Sequence, residues 1–203
     1  MVDYLELSEL LAVKLCHDLS GPIGAVNNGV ELLKEGNEAI YDQAIDLTES
    51  SAKDAVARVM FFRQAYGVIK GQSVIDPQSI REISDNYLSN TKVKINWDGS
   101  LFESEINGNV SKAILNVILF VSKSMIYGGI IEVKNIAGSI NIRGEGKTVA
   151  TDEEGVAILS GDDEAALPMT VKNVQAYFMK HIFDRAELRP QILKGEDFIE
   201  VVF

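Results

Sequence analysis

The sequence predicts an α+β protein, with an N-terminal helical hairpin that pairs into a dimeric four-helix bundle, followed by an α/β sandwich. Three observations point there. Apolar residues recur at helical spacing through residues 2–69, a stretch with one proline, Pro22. After Lys70 and Gly71, short β-rich runs alternate with helical stretches. The chain has 203 residues, 46% of them hydrophobic and 24% charged, enough to bury a substantial core in one or two domains.

The hairpin comes first. Glu35, Gly36 and Asn37 break the helical pattern and mark its turn. With Leu5 as heptad position a, the a and d positions are Leu5, Ser8, Ala12, Leu15, Leu19, Pro22, Val26, Gly29 and Leu33. The second helix carries a matching seam of Tyr41, Ile45, Thr48, Ala52, Ala55, Val59, Phe62, Tyr66 and Ile69. The e positions Cys16, Ile23 and Val30 widen the apolar stripe beyond what one partner helix covers, so Cys16 reads as a core residue. A second copy of the hairpin, related by a twofold axis, closes the bundle most simply. The alternative is that the rest of the chain covers the stripe.

The second segment follows a linker. Pro77 after Asp76 suits a helix start. Strands are expected at residues 92–97, 130–134, 139–143 and 198–203, and helices near 79–88, 110–126 and 169–183. The domains are therefore 1–70, the hairpin, and 75–203, the sandwich.

Charge and composition exclude several function classes. A net charge of -11 repels phosphate backbones, so nucleic acid is not an expected partner. The most apolar run, residues 113–121, is far short of the roughly 20 residues that cross a bilayer. The N-terminus, with Asp3, Glu6 and Glu9, lacks the pattern of a secretory signal, and a cytoplasmic location is expected. The single cysteine, Cys16, permits no intrachain disulfide and no multi-cysteine metal site. His181 reads as structural.

His17 carries the chemistry. It falls on an f position, opposite the seam, while Leu15 and Leu19 point inward. Pro22 lies well inside the helix, where it removes the bond to the Asp18 carbonyl at a cost of roughly 3 kcal/mol. Ser20, Gly21 and Gly24 follow His17 by three, four and seven residues and leave a shallow surface on its side. A protein partner could approach closely there. Lys14, one turn earlier, is the nearest cation on that face.

The run His17-Asp18-Leu19-Ser20-Gly21-Pro22-Ile23 resembles the H-box of histidine kinases. More specifically, residues 15–19 and 24–33, with Phe61-Phe62-Arg63-Gln64-Ala65-Tyr66-Gly67, resemble the ChpT-like histidine phosphotransferases. The likeness is strong over the first 70 residues and rests on element order beyond them. It implies a dimeric hairpin bundle, a degenerate kinase-type ATPase domain, and a phosphotransfer protein of a multistep phosphorelay. In such a relay His17 carries the phosphoryl group between receiver-domain aspartates, with Asp18 orienting the imidazole. The implied donor is the receiver of a CckA-like hybrid histidine kinase, and the implied acceptors are CtrA- and CpdR-like response regulators. Arg63 joins the docking residues Lys14, Ser20, Gly21 and Gly24 only through this resemblance. By helix geometry, Arg58 lies nearer the level of His17 by about one turn.

The boxes of an active kinase are missing. If Asn116 is the first asparagine of the pattern Asn-Leu-Leu-x-Asn-Ala, the second position is Phe120, which cannot ligate magnesium. The run Thr151-Asp152-Glu153-Glu154-Gly155-Val156-Ala157 lacks the second glycine of an Asp-x-Gly-x-Gly box. No cofactor of its own is expected, and a partner receiver would supply the magnesium. Gly144-Glu145-Gly146-Lys147-Thr148 echoes a P-loop but has Asn141 where the first glycine belongs, and it reads as a turn. Two rivals remain: a catalytically dead scaffold that binds receivers, and an ATP-using kinase.

Overall fold

The computed structural model describes residues 3–68, 74–102, 105–161 and 167–203. Helix α1 spans Tyr4–Lys34, and its first amides are capped by the Asp3 carboxylate. A single 3-10 turn, Glu38–Ile40, leads into α2, Tyr41–Tyr66. The two helices pack tightly at Gly29, where a Cβ would come within 2.2 Å of Thr48 Oγ1 and 3.2 Å of the Ala44 carbonyl. A larger residue there would have to displace the Thr48 hydroxyl and press on the α2 backbone.

Beyond the hairpin come β1 (Val74–Ile75), α3 (Pro77–Leu88), β2 (Val93–Trp97), β3 (Ile106–Asn107) and α4 (Gly108–Ser124). They are followed by β4 (Gly129–Ile136), β5 (Ser139–Glu145), α5 (Glu153–Ser160), α6 (Val174–Arg185), β6 (Gln191–Lys194) and β7 (Phe198–Val202). Strands β1 and β3 form a small ribbon, and the main sheet has the order β2-β4-β5-β7-β6. Only β2 and β4 run parallel. Ala137 and Gly138, both at positive φ, make the two-residue turn between β4 and β5. The sheet buries Ile131, Val133, Ile142, Ile199 and Val201 on one face and carries Asn141, Arg143 and Glu200 on the other. This alternation is what a one-sided α/β layer requires. Helix α4, buried from Ala113 to Val121, is the spine of its core.

The α+β expectation holds, with helix α5, strand β6 and the short strands β1 and β3 added to it. The acidic run 152–154 is the start of α5: Asp152 caps it and Glu153 and Glu154 favour its first turn. Asp76 and Pro77 start α3 as expected. The expected junction at 70–75, and Ile69 of the second seam, fall mostly on residues 69–73, outside those described. Residues 144–148 end β5 and turn into a loop, with no helix at Lys147 and Thr148.

Three expectations are corrected. On α2 the seam positions Tyr41, Ile45 and Val59 are exposed, and Ala44, Ser51, Phe61 and Ala65 are buried beside Phe62 of the seam. From Leu15 onward the a and d positions of α1 are covered, but Leu5, Ser8 and Ala12 are exposed. Over that first stretch α1 instead buries Leu7, with Leu10 and Leu11 partly covered, against the core shared with the second domain. The rest of the chain therefore covers this end of the stripe, which rotates the buried face away from the coiled-coil seam. Cys16 is exposed rather than part of the core, because the e positions Cys16 and Ile23 face neither α2 nor the second domain.

Aromatic residues join hairpin and sandwich into one core. Phe61 of α2 stacks on Tyr87 of α3 at 4.3 Å between ring centres, and Tyr66 meets Phe178 of α6 at 5.0 Å. Asn116 adds a polar tie. Its amide donates to the Ala65 carbonyl of α2 at 3.0 Å and to the Lys112 carbonyl of its own helix at 2.9 Å. His181, on α6, has its ring 5.2 Å from that of Tyr4.

Candidate functional site

His17 stands on the open face of α1 with its side chain 84% exposed. Its Nδ1 lies 3.4 Å from Asp18 Oδ1, a long contact that leaves Nε2 free on the outer side of the ring. Around it the surface is low. A Cβ at Gly21 or Gly24 would meet nothing within 4 Å, and the Ser20 hydroxyl folds back to the Cys16 carbonyl at 2.7 Å. A shallow concavity lined by Gly21, Pro22, Ala25, Asp54 and Arg58 adjoins this face.

Asp18 is far less exposed, at 17%. Its Oδ2 accepts from Lys123 Nζ at 2.9 Å, a bond from the last turn of α4 to the hairpin. A lysine suits that place, since the carbonyl end of a helix favours a cation. Burial opposes ionisation of Asp18, but the charge and hydrogen bond of Lys123, helped by Lys14 and His17, outweigh it and hold the carboxyl below the usual carboxylate range. The same cluster acts on Lys14 in the other sense. Burial, with the neighbouring Lys123, pushes its ammonium below the ordinary lysine range despite Asp18 and Asp152. Lys14 is partly buried at the edge of this cluster.

Pro22 acts on the backbone beside this cluster. Lacking an N–H, it leaves the Asp18 carbonyl without its helical donor. Arg58 of α2 supplies one, with Nη1 3.4 Å from that oxygen, while its Nε donates to Asp54 at 2.9 Å. Arg58, not Arg63, is thus the arginine brought to the His17 level. Arg63 lies apart, in a groove of about 770 Å3 between α2 and α3 that Val56, Met60 and Ile83 also line.

Behind Lys14 and Lys123 is a cavity of about 80 Å3, bordered also by Phe120, Asp152, Lys172 and Gln175. It sits where α4, α5 and α6 converge, between Phe120 of α4 and the Asp152 cap of α5. Among the described residues, apolar and capping contacts fill this place. The Phe120 ring lies so near Gly155 that a Cβ there would approach it to 2.8 Å, and Asp152 is occupied in capping α5 through the Gly155 amide at 3.2 Å. Asn116 is fully buried, its NH2 donating to the Ala65 carbonyl of α2 while its Oδ1 has no hydrogen-bond partner. Among the described residues, no cluster of histidine, cysteine and carboxylate side chains could hold a metal ion, and no helix is long and apolar enough to cross a membrane.

The family model for the histidine phosphotransferase C-terminal domain matches residues 77–198. The chain belongs to the histidine phosphotransferase family. Its similarity extends through the hairpin: the protein phosphotransferase ChpT of Brucella abortus (strain 2308) is 30% identical over 202 residues, covering 96% of this chain and 94% of that protein. A solved structure of a bacterial phosphotransferase gives a TM-score of 0.84 at 27% identity, covering 100% of this chain and 97% of that one. The Acinetobacter baumannii histidine kinase AdeS gives a TM-score of 0.44 at 11% identity, covering 92% of this chain and 95% of that one. The family expectation read from residues 15–33 and 61–67 is borne out.

Helical phase sets Lys14, Ser20, Gly21 and Gly24 on the side of His17; in the structure His17, Ser20, Gly21 and Gly24 are exposed, while Asp18 and Lys14 are partly buried, Asp18 against Lys123 and Lys14 at the cavity below it. Sequence reasoning missed Lys123. Nothing local to Lys123 signals a role, because its partner is 105 residues away.

Proposed function

We propose that this histidine phosphotransferase carries the phosphoryl group of a phosphorelay on His17, taking it from the aspartate of one receiver domain and giving it to another. The observation behind this reading is the exposed imidazole, with Nδ1 toward a fixed carboxylate and Nε2 open over a glycine-lined surface. Neutral imidazole is a competent nucleophile near pH 7. The Nε2 lone pair forms the N–P bond in line as the P–O bond to the receiver aspartate breaks, and the bonding pair leaves with that carboxylate. The ring then carries a positive charge and keeps its Nδ1 proton, facing Asp18. Return to a second receiver reverses the step. Such transfers demand mostly positioning and charge stabilisation, and the receiver contributes magnesium, so this chain needs few catalytic groups.

Ser20, Gly21 and Gly24 are the docking surface in this reading, with Lys14 facing the incoming phosphoryl group. A twofold dimer joined through the hairpins presents two such faces. Exposed Ile23, Val56, Val59 and Met60 support it, since together they leave apolar surface on the hairpin that the protomer does not cover. The test is a relay assay with two receiver domains, one phosphorylated and one not. Label should move between them only when this protein is present, and equal movement without it would refute the reading.

A further inference from the structure

We propose that Lys123, on the second domain, is a positioning residue for phosphoryl transfer at His17: its ammonium pins the Asp18 carboxylate with one oxygen turned toward the imidazole. The proposal rests on the reading of His17 as the phosphoryl carrier and adds what the sandwich domain contributes to it.

His17 and Asp18 are helical neighbours, whose side chains leave the axis about 100 degrees apart. An aspartate beside a histidine is therefore not directed at it by the helix and needs a third group to hold it there. Lys123 does this. It takes Oδ2 at 2.9 Å, leaving Oδ1 toward Nδ1 at 3.4 Å. That second distance is long for a hydrogen bond, as catalytic contacts in free proteins often are before the partner docks. When the N–P bond forms at Nε2 and the P–O bond to the receiver breaks, positive charge develops on the ring while the proton stays on Nδ1. A carboxylate held at that nitrogen stabilises the charge. A mobile one must first be ordered.

A purely structural fastener would look different. The two domains are already joined by Leu7, by the Phe61–Tyr87 stack and by Asn116 on the Ala65 carbonyl. Beside the Lys123–Asp18 pair, moreover, stands a second cation, since Lys14 lies next to Lys123 at the same cavity. Like charges brought together in a half-buried place reduce stability. They suit a site that receives an anion, and a phosphoryl group on His17 would be one.

The experiment uses the full chain and a receiver domain phosphorylated with acetyl phosphate and magnesium, with transfer followed by rapid quench over a range of receiver concentrations. Lys123→Ala should lower the limiting rate about ten-fold or more, in the range that removal of a supporting partner typically costs, and leave the half-saturating receiver concentration unchanged. Lys123→Arg should recover most of the rate. In an Asp18→Asn background, Lys123→Ala should cost nothing further, because its only route to His17 is already cut. A Lys123→Ala protein with the wild-type limiting rate would overturn the proposal. So would a defect confined to half-saturation, which would make Lys123 a receiver contact, or a full additional loss in the Asp18→Asn background. Absence of transfer by the wild type would overturn the functional reading and this proposal together, whereas wild-type transfer with an unimpaired Lys123→Ala protein would overturn this proposal alone.

Discussion

Arg58 Nη1 donates to the carbonyl oxygen of Asp18 at 3.4 Å, reaching from α2 to α1 at the turn where Pro22 has no N–H to give. The two features form a unit. Arg58→Ala should cost about 1–3 kcal/mol, because it leaves both that carbonyl and the half-buried Asp54 carboxylate without their donor. Pro22→Ala restores the helical donor, so in that background Arg58→Ala should cost less. Urea unfolding of the four proteins measures the difference. An equal cost in both backgrounds would show that Arg58 serves Asp54 alone.

The Asp18 ion pair predicts an acid-sensitive component of stability. The carboxyl is held below its ordinary value in the folded protein, so its contribution is fully present above the unfolded value, about 3.9. It is lost as pH falls through the lower folded value. Thermal unfolding followed from pH 6 downward should fall less steeply for Asp18→Asn than for the wild type. Parallel acid limbs would mean that Lys123 does not favour the charged carboxylate.

Nucleotide should not bind. Phe120 lies against Gly155 and Asp152 caps α5, so that among the described residues the space where α4 and α5 meet is a cavity of about 80 Å3, too small for adenine. Titration calorimetry with magnesium and ATP should give no heat of binding, and labelled ATP should leave the protein unlabelled. Micromolar affinity would restore the kinase reading.

The hairpin should hold the protein as a dimer. Ala55 is half-buried within the protomer, so a charge there would disturb the protomer itself. Val56 is 59% exposed and Val59 is also exposed, which makes them the cleaner probes. Val56→Glu with Val59→Glu should convert a dimer to a folded monomer by light scattering, since each would bury an uncompensated charge in the bundle. Gly24→Arg should leave the dimer intact and slow transfer by obstructing the open face beside His17. A monomeric wild type, or normal transfer by Gly24→Arg, would contradict this arrangement.

Much of the site was legible because it is local. Helical phase alone put His17 outward and Gly21 and Gly24 on its side, and the missing hydrogen bond at Pro22 follows from proline chemistry. Helix α5 was not legible as a helix because its acidic start stands where a glycine-rich box was being sought. The N-terminal half of the α1 seam misled for a different reason. Heptad phase assumes that one partner runs the whole length of a helix, and α1 changes partner from α2 to the sandwich, which moves the buried face from Leu5 and Ala12 to Leu7 and Leu11. Lys123 and Asp18 are 105 residues apart, and no spacing rule connects them.

The most direct test of the central claim is to locate the phosphoryl group. Full-length protein would be incubated with a phosphorylated receiver domain, separated from it, and the label characterised and mapped by mass spectrometry. An acid-labile, alkali-stable phosphate on His17, absent from a folded His17→Ala protein, is the predicted result. Transfer that persists at full rate in His17→Ala, or a label on any other residue, would contradict the account.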